Sequence, residues 1–261
     1  MLIRLILLLR NFNSLYDALF FYALIMKLGG APFHSWYLTL IQKLSWNFIW
    51  LLACWQKIIP LIIVSLNLSS QLSFITWATV LVGGLGTIKQ SSVKKIFAFS
   101  SIFTLGWILA AILIAKLCWW SFFWGYALGL GSFVICISRT WPMDTKNERA
   151  HYRLPFMILL FIILLTITGI PPFLGFFLKL FILNQIIILR ATLALALVTL
   201  SLLIIAAYLR IIFSLLTLIN SSSLNLIGRA SEKTLTFEFI LLNRTFRVLF
   251  LNYSICNILH K

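Results

Sequence analysis

The stretch TITGIPPFLGFFLKLF, residues 166–181, combines two features that are costly in a membrane helix. Pro171 and Pro172 stand side by side in an apolar run, and Lys179 follows with hydrophobic residues on both sides. Proline interrupts a helix, and a lysine at the centre of a membrane helix costs roughly 2.5–3.5 kcal/mol. Both features within nine residues indicate a helix break that has a function.

The composition is that of a membrane protein. Of the 261 residues, 62% are hydrophobic and 10% are charged, and the mean hydropathy is +1.07. A soluble domain carries about 25% charged residues. The apolar runs are long and continuous rather than alternating, which favours helices over a barrel. The sequence therefore predicts an all-α polytopic membrane protein.

Eight apolar segments predict about eight transmembrane segments. They cover residues 14–36, 45–67, 72–88, 96–115, 118–138, 154–188, 192–218 and 235–259. The sixth would be about 52 Å long as one helix, which is more than a bilayer needs. The stretch GIPP at 169–172 either divides this segment into two membrane crossings or marks the break in one discontinuous helix. A broken helix buried among others is favoured, because a reversal in lipid leaves backbone groups unpaired.

The net charge of +16 comes from 21 Lys and Arg against 5 Asp and Glu. If each segment crosses once, ten cations of the connecting loops lie on one side and two, Lys116 and Arg190, on the other. This bias supports the eight-span count and places the ten-charge side in the matrix or cytoplasm. No nucleic-acid motif accompanies the charge, so no nucleic-acid partner is expected. The ten are Lys43, Lys89, Lys94, Lys95, Arg139, Lys146, Arg149, Arg153, Arg229 and Lys233.

Three lysines deep in apolar segments, Lys27, Lys57 and Lys179, are candidates for a proton path. The alternative is snorkelling, in which the flexible stem carries the amine to the interface. Loss of hydration disfavours the charged form of an amine, so a buried lysine can take up and release a proton near neutral pH. The helix breaks admit the water that a proton path needs.

The predicted helix breaks are Gly29, Gly30 and Pro32 after Lys27, and Pro171 and Pro172 before Lys179. KLGGAPF and GIPPFLGFFLK resemble each other, and paired broken helices point to the site of a transporter. His34 could relay protons or make a local hydrogen bond, and the two interpretations stand equal. Lys95 is a possible relay, although a charge at a helix start facing the matrix is favoured.

Nothing in the sequence indicates a catalytic residue, a metal site or a cofactor on this chain. The four cysteines, Cys54, Cys118, Cys136 and Cys256, form no C-x-x-C pair. That spacing argues against a metal, an iron–sulfur cluster or a disulfide framework.

Five motifs in order resemble chain 2 of mitochondrial NADH–ubiquinone oxidoreductase, the respiratory complex I. They are MKLGGAPFHSW, WQKIIPL, VKKIFAFSSIFTLGW, SRTW and GIPPFLGFFLK, within about residues 15–215. The resemblance implies an antiporter-like fold with two inverted repeats, each with one discontinuous helix. It implies a single membrane domain in which 14–67 is the remnant of the first repeat, 72–218 is the second repeat and 235–259 is a C-terminal helix.

The resemblance also implies a function and partners. The chain would be a non-redox membrane-arm subunit of the proton-translocating NADH:ubiquinone reductase, without a cofactor of its own, in the mitochondrial inner membrane with its basic loops facing the matrix. Lys27, Lys57 and Lys179 match the proton-path lysines of the family. The implied partners are a small helical subunit with an intramembrane glutamate, a sister antiporter-like subunit and lipids.

The chain departs from the family at its first repeat. No residue matches the glutamate that pairs with the lysine matched by Lys27, and Asp17 lies about 15 Å away along a helix. Thr39 stands where a glutamate is usual, and Thr104 where a histidine is usual. The first repeat is therefore expected to be incomplete. Either a separate polypeptide supplies the missing helices, or the first proton route is degenerate.

The sequence is also compatible with two other functions. The chain could act mainly as a structural scaffold of the membrane arm with a degenerate first route. It could also be a stand-alone cation/proton antiporter, although half a repeat cannot form a closed transport path.

Overall fold

The computed structural model describes residues 18–66, 71–114, 118–140, 153–171 and 173–223. Within these residues every regular element is a helix, which confirms the all-α prediction. The predicted segment 235–259, Asp17 and Pro172 lie outside the described residues. The helices are α1 (Ala18–Leu28), α2 (Ser35–Lys43), α3 (Trp46–Trp50), α4 (Gln56–Leu66), α5 (Leu72–Gly86), α6 (Val93–Ile114), α7 (Cys118–Thr140), α8 (Arg153–Thr168), α9 (Leu174–Leu189) and α10 (Ala191–Ser223).

Seven of the eight predicted segments fall wholly or partly in the described residues, and each of them is helical. Four helices of the described part are long and apolar enough to cross a membrane, namely Trp46–Leu66, Val93–Ile114, Trp119–Ser138 and Ala191–Phe213. The other apolar helices have 10–17 residues. They are shorter than the roughly 20 residues of a straight span. The count of eight crossings stays a prediction.

Helix α6 is the central element of the described structure. Its residues are buried without interruption from Ile96 to Ile112, and α2, α5, α7, α9 and α10 pack around it. The approach of α5 is close because a side chain at Gly83 would collide with the backbone of Phe103. Small residues at such contacts let membrane helices approach closely. Groups on α6 can therefore meet groups from several helices at once.

The first break separates α1 from α2. Gly29 adopts a φ of 73°, and Gly30 donates its N–H to the carbonyl of Ile25 at 3.0 Å. This pattern ends a helix with a left-handed glycine. The carbonyl of Met26 accepts the N–H of Gly29 and also the indole Nε1 of Trp36, the latter at 2.9 Å. The side chain of Trp36 thus donates a hydrogen bond to a main-chain carbonyl at the C-terminal end of α1.

The second break separates α8 from α9, as the sequence predicts for residues 169–172. Gly169 has a φ of 76°, and the N–H of Ile170 reaches back to the carbonyl of Leu165 at 3.4 Å. The turn is tight, since a side chain at Gly175 would collide with the carbonyl of Thr166. The discontinuous-helix prediction is confirmed at both positions.

One irregularity was not predicted. The segment 45–67 was predicted as one apolar transmembrane segment, and within it residues Leu51–Trp55 form a π-helical turn between α3 and α4. Pro60 lies inside α4 and has no N–H to give to the carbonyl of Gln56. A π turn inserts an extra residue and changes the direction of the side chains that follow it. The turn therefore helps to set the direction of Lys57, two residues after it.

Candidate functional site

Lys57 lies in the interior of the bundle, where only 4% of its surface is exposed. Its Nζ lies 4.9 Å from the centre of the Tyr37 ring and 3.4 Å from the carbonyl oxygen of Ser101. An aromatic face and a main-chain oxygen both attract a cation without carrying a full negative charge. The amine of Lys57 is therefore held by neutral groups from α2 and α6.

Tyr37 and Ser101 extend this arrangement. The Tyr37 hydroxyl lies 2.7 Å from Ser101 Oγ, which itself donates to the carbonyl of Ala98 at 2.8 Å. A serine hydroxyl has one proton, so Tyr37 is the donor in this arrangement. The Ser101 carbonyl also accepts the hydroxyl of Thr104 at 3.0 Å. Ser101 thus joins the lysine, the tyrosine and the threonine.

The preceding serine makes the same kind of contact on another side of α6. Ser100 Oγ donates to the carbonyl of Phe97 at 2.9 Å and lies 2.7 Å from the hydroxyl of Tyr208 on α10. By the same proton count, Tyr208 is the donor. Two adjacent serines therefore bind two buried tyrosines that come from different helices.

Lys179 lies on α9, directly after the second break. Its Nζ donates a hydrogen bond of 2.6 Å to the carbonyl of Thr168, the last residue of α8. In an unbroken helix this carbonyl would accept the N–H of Pro172, and proline has none. The last carbonyls of a helix also form the negative end of its dipole. The proline pair thus leaves an acceptor that the lysine uses.

Helix α6 connects the surroundings of the two lysines. Ser101, Thr104 and Trp107 follow one another at intervals of three residues, over about 9 Å of helix. Lys57 lies at the Ser101 end, and the Lys179 amine lies 6.0 Å from the ring of Trp107. Among the described residues, the buried Nε1 of Trp107 has no hydrogen-bond partner. Such a donor is a place for bound water.

Lys27 does not meet the expectation of a buried lysine. It is exposed on the described surface and lies one residue before the end of α1. Ile25 and Leu28 take the inward positions of that turn, and both are fully buried. The described structure does not bring Lys27 together with Lys57 and Lys179.

The two possible relays also lie outside the line between Lys57 and Lys179. His34 is half-buried, and its Nδ1 lies 3.1 Å from the carbonyl of Pro32 within the first break. Lys95 is half-buried in the first turn of α6, about 9 Å along the helix from Ser101. These positions do not test whether His34 or Lys95 relays protons, and both roles stay predictions.

The predicted break residues occupy different surroundings. Gly29 and Gly30 are buried, and a side chain at Gly30 would press on Ile25 and Thr79. Pro32 and Pro171 are exposed. Gly169, which provides the left-handed turn of the second break, lies within the predicted break at 169–172, although only Pro171 and Pro172 were named as its break residues. The available signal was a glycine followed closely by proline, which is typical of a helix C-terminus.

Most of the groups around the lysines were not predicted from the sequence. Tyr37, Ser100, Ser101, Thr168 and Tyr208 are ordinary residues in apolar segments, and only the fold brings them together. The one available signal was the serine pair SS at 100–101, inside the motif VKKIFAFSSIFTLGW.

The electrostatic character of the described part is unusual, because it contains no carboxylate side chain. The five acids, Asp17, Asp144, Glu148, Glu232 and Glu238, all lie outside the described residues. In the described ranges no group of three or more His, Cys, Asp or Glu side chains could hold a metal ion. The described lysines therefore have no acidic partner within this part of the chain.

Comparisons with known proteins place the chain in a family. The family model described as NADH:quinone oxidoreductase/Mrp antiporter, transmembrane, matches residues 4–205. Among solved structures, the Mrp complex from Dietzia sp. DQ12-45-1b has a similar fold, with a TM-score of 0.64 and 19% sequence identity. That match covers 77% of this chain and 41% of the other. The chain belongs to the NADH:quinone oxidoreductase/Mrp antiporter transmembrane family.

Within that family, the similar curated proteins are chain 2 of NADH–ubiquinone oxidoreductase. The protein of Anopheles gambiae is 34% identical over 88% of this chain and 70% of its own length. The protein of Aedes aegypti is 32% identical over 81% of this chain and 64% of its own length. The protein of Locusta migratoria is 29% identical, and the match covers 60% of its length.

Proposed function

We propose that the chain is a non-redox membrane-arm subunit of a proton-translocating NADH–ubiquinone oxidoreductase and that protons pass between Lys57 and Lys179. The observation that carries this proposal is the pairing of each amine with a neutral main-chain acceptor, Ser101 for Lys57 and Thr168 for Lys179. A fixed carboxylate would hold the ammonium form in place, whereas a carbonyl stabilises it only modestly. Each lysine can then be charged and discharged within one cycle.

The path between the lysines follows α6. Thr104 can accept a proton at its hydroxyl oxygen and release another. The Nε1 of Trp107, which has no partner among the described residues, supports a bound water near Lys179. The ring of Tyr37 stabilises the charged form of Lys57 without accepting its proton. These groups work as a relay only if the amines change their charge, because hydroxyls and water merely pass on what a lysine releases.

Membership of the family supports a location and partners for this chain. We place the chain in the mitochondrial inner membrane with its cation-rich loops facing the matrix, supported by the ten-to-two distribution of loop charges. The partners would be a sister antiporter-like subunit and a small helical subunit with an intramembrane glutamate. The exposure of Lys27 on the described surface fits a carboxylate brought by another segment or polypeptide.

The test of this function is Lys57→Ala in the assembled complex, with protons translocated per electron as the measurement. We expect a lower ratio, because the amine at one end of the α6 path is lost. Lys57→Gln keeps the polar contact without the charge change and should behave like Lys57→Ala. An unchanged ratio in both variants, with normal assembly, would make the chain mainly a scaffold.

A further inference from the structure

Five cations of the described structure gather at one end of the helix bundle. Lys94 Nζ donates to the carbonyl of Leu44 at 2.8 Å, which ties the start of α6 to the end of α2 and its last residue, Lys43. Arg210 on α10 donates to the carbonyl of Ile88 at 2.9 Å, in the connection between α5 and α6. These contacts place the end of α2, the connection after α5, the start of α6 and Arg210 at one end of the bundle. We name the cations of these segments the basic rim: Lys43, Lys89, Lys94, Lys95 and Arg210.

The basic rim lies at a boundary of the membrane rather than inside it. Arg190 directly precedes α10, and Arg210 follows 20 residues later. That separation is about 30 Å along a helix, which is the thickness of the hydrocarbon core. Arg190 and the basic rim therefore mark opposite interfaces.

Two of the five cations make hydrogen bonds that join helix ends, whereas two others make none with the described residues. Lys94 and Arg210 bind main-chain carbonyls at helix ends. Lys43 and Lys89 are exposed and make no hydrogen bond or ion pair with any described residue. Because the described part contains no carboxylate, their charge is uncompensated there.

Exposed apolar side chains lie next to these lysines, toward the membrane. Leu40 is one helical turn before Lys43 and is 39% exposed. Leu85 lies in the last turn of α5, four residues before Lys89, and is 53% exposed. A basic group above an apolar surface matches the two parts of a phospholipid, an anionic headgroup and its acyl chains.

We infer that the basic rim is a binding site for the phosphate headgroup of an anionic phospholipid, whose acyl chains lie on Leu40 and Leu85. The site is separate from the proton path. Each lysine near an anionic headgroup contributes an attraction that corresponds to roughly a fivefold change in affinity. Loss of both lysines should weaken binding by more than tenfold.

The experiment uses the complex that contains the full chain, held in phosphatidylcholine and titrated with phosphatidylglycerol of the same acyl chains. Retained phosphatidylglycerol is counted by mass spectrometry. We expect the double variant Lys43→Gln, Lys89→Gln to lose more than tenfold in affinity, and each single variant to lose about fivefold. The control Arg190→Gln, at the opposite interface, and the charge-preserving double variant Lys43→Arg, Lys89→Arg should retain the lipid.

Several results would overturn the inference. Equal retention of phosphatidylglycerol in the double variant and the natural chain would do so, as would an equal loss in Arg190→Gln. Displacement by excess inorganic phosphate would assign the site to a free anion, since phosphate lacks the acyl contacts. If the variants lose a neighbouring subunit while the lipid stays bound, carboxylates of that subunit are the partners of the lysines instead.

Discussion

Lys179 donates a 2.6 Å hydrogen bond to the carbonyl of Thr168 across the break between α8 and α9. This contact explains the two costly features of residues 166–181 together. Because proline has no N–H, the last carbonyls of α8 lose the donors that a continuous helix would provide. Lys179, which lies 11 residues after Thr168, donates to one of these carbonyls instead. The helix break and the half-buried Lys179 therefore stabilise each other.

Gly169 sets the geometry of this contact. It has a φ of 76°, and a side chain there would lie 3.1 Å from both Cδ and Nζ of Lys179. We expect Gly169→Ala to destabilise the chain by about 1–2 kcal/mol through the backbone alone and to displace the amine. A lower thermal midpoint of the assembled complex together with a lower proton-to-electron ratio is the expected result. Gly129→Ala, whose new side chain would meet only Ile167 at 3.4 Å, is the control.

Tyr37 contributes to the Lys57 site in two separable ways. Tyr37→Phe removes the hydroxyl that binds Ser101 but keeps the ring beside Lys57, and should cost about 1 kcal/mol of stability. Tyr37→Leu removes both and should cost more, because the ring interaction is also lost. Thermal unfolding of the complex measures the difference, and equal midpoints for the two variants would contradict a role for the ring.

Thr104 is expected to act in proton transfer rather than in folding. Thr104→Val keeps the volume of the side chain and removes the hydroxyl that binds the Ser101 carbonyl. We expect a slower turnover at unchanged assembly, measured as coupled NADH oxidation in sealed vesicles. Thr76→Val is the matched control, because that hydroxyl also binds a carbonyl of its own helix, that of Ser73, which accepts no hydrogen bond from a described lysine. A similar slowing in both variants would argue against the α6 path.

The sequence predicted the features that follow from local rules. The apolar runs located the helices, and glycine and proline located both breaks, because these residues act on their own segment. The contacts of Lys94 with the carbonyls of Gln42 and Leu44 bring the start of α6 beside the end of α2, and the predicted distribution of the loop cations between the two sides of the membrane stays a prediction.

The rest depends on contacts between distant segments. Tyr37 and Ser101 are 64 residues apart, and Ser100 and Tyr208 are 108 apart. Nothing in either segment alone indicates these pairs. The outward direction of Lys27 depends on which face of α1 is buried, and the π turn before Lys57 depends on tertiary packing. The pattern of apolar residues in one segment therefore predicts neither the direction of Lys27 nor the π turn.

We propose that the amine of Lys179 carries protons. It is tested most directly by the number of protons translocated per electron in Lys179→Ala, with Arg190→Ala as the control at the far end of the same helix. We predict a lower ratio for Lys179→Ala, with the complex fully assembled, and an unchanged ratio for Arg190→Ala. An unchanged ratio and rate in Lys179→Ala would contradict the account.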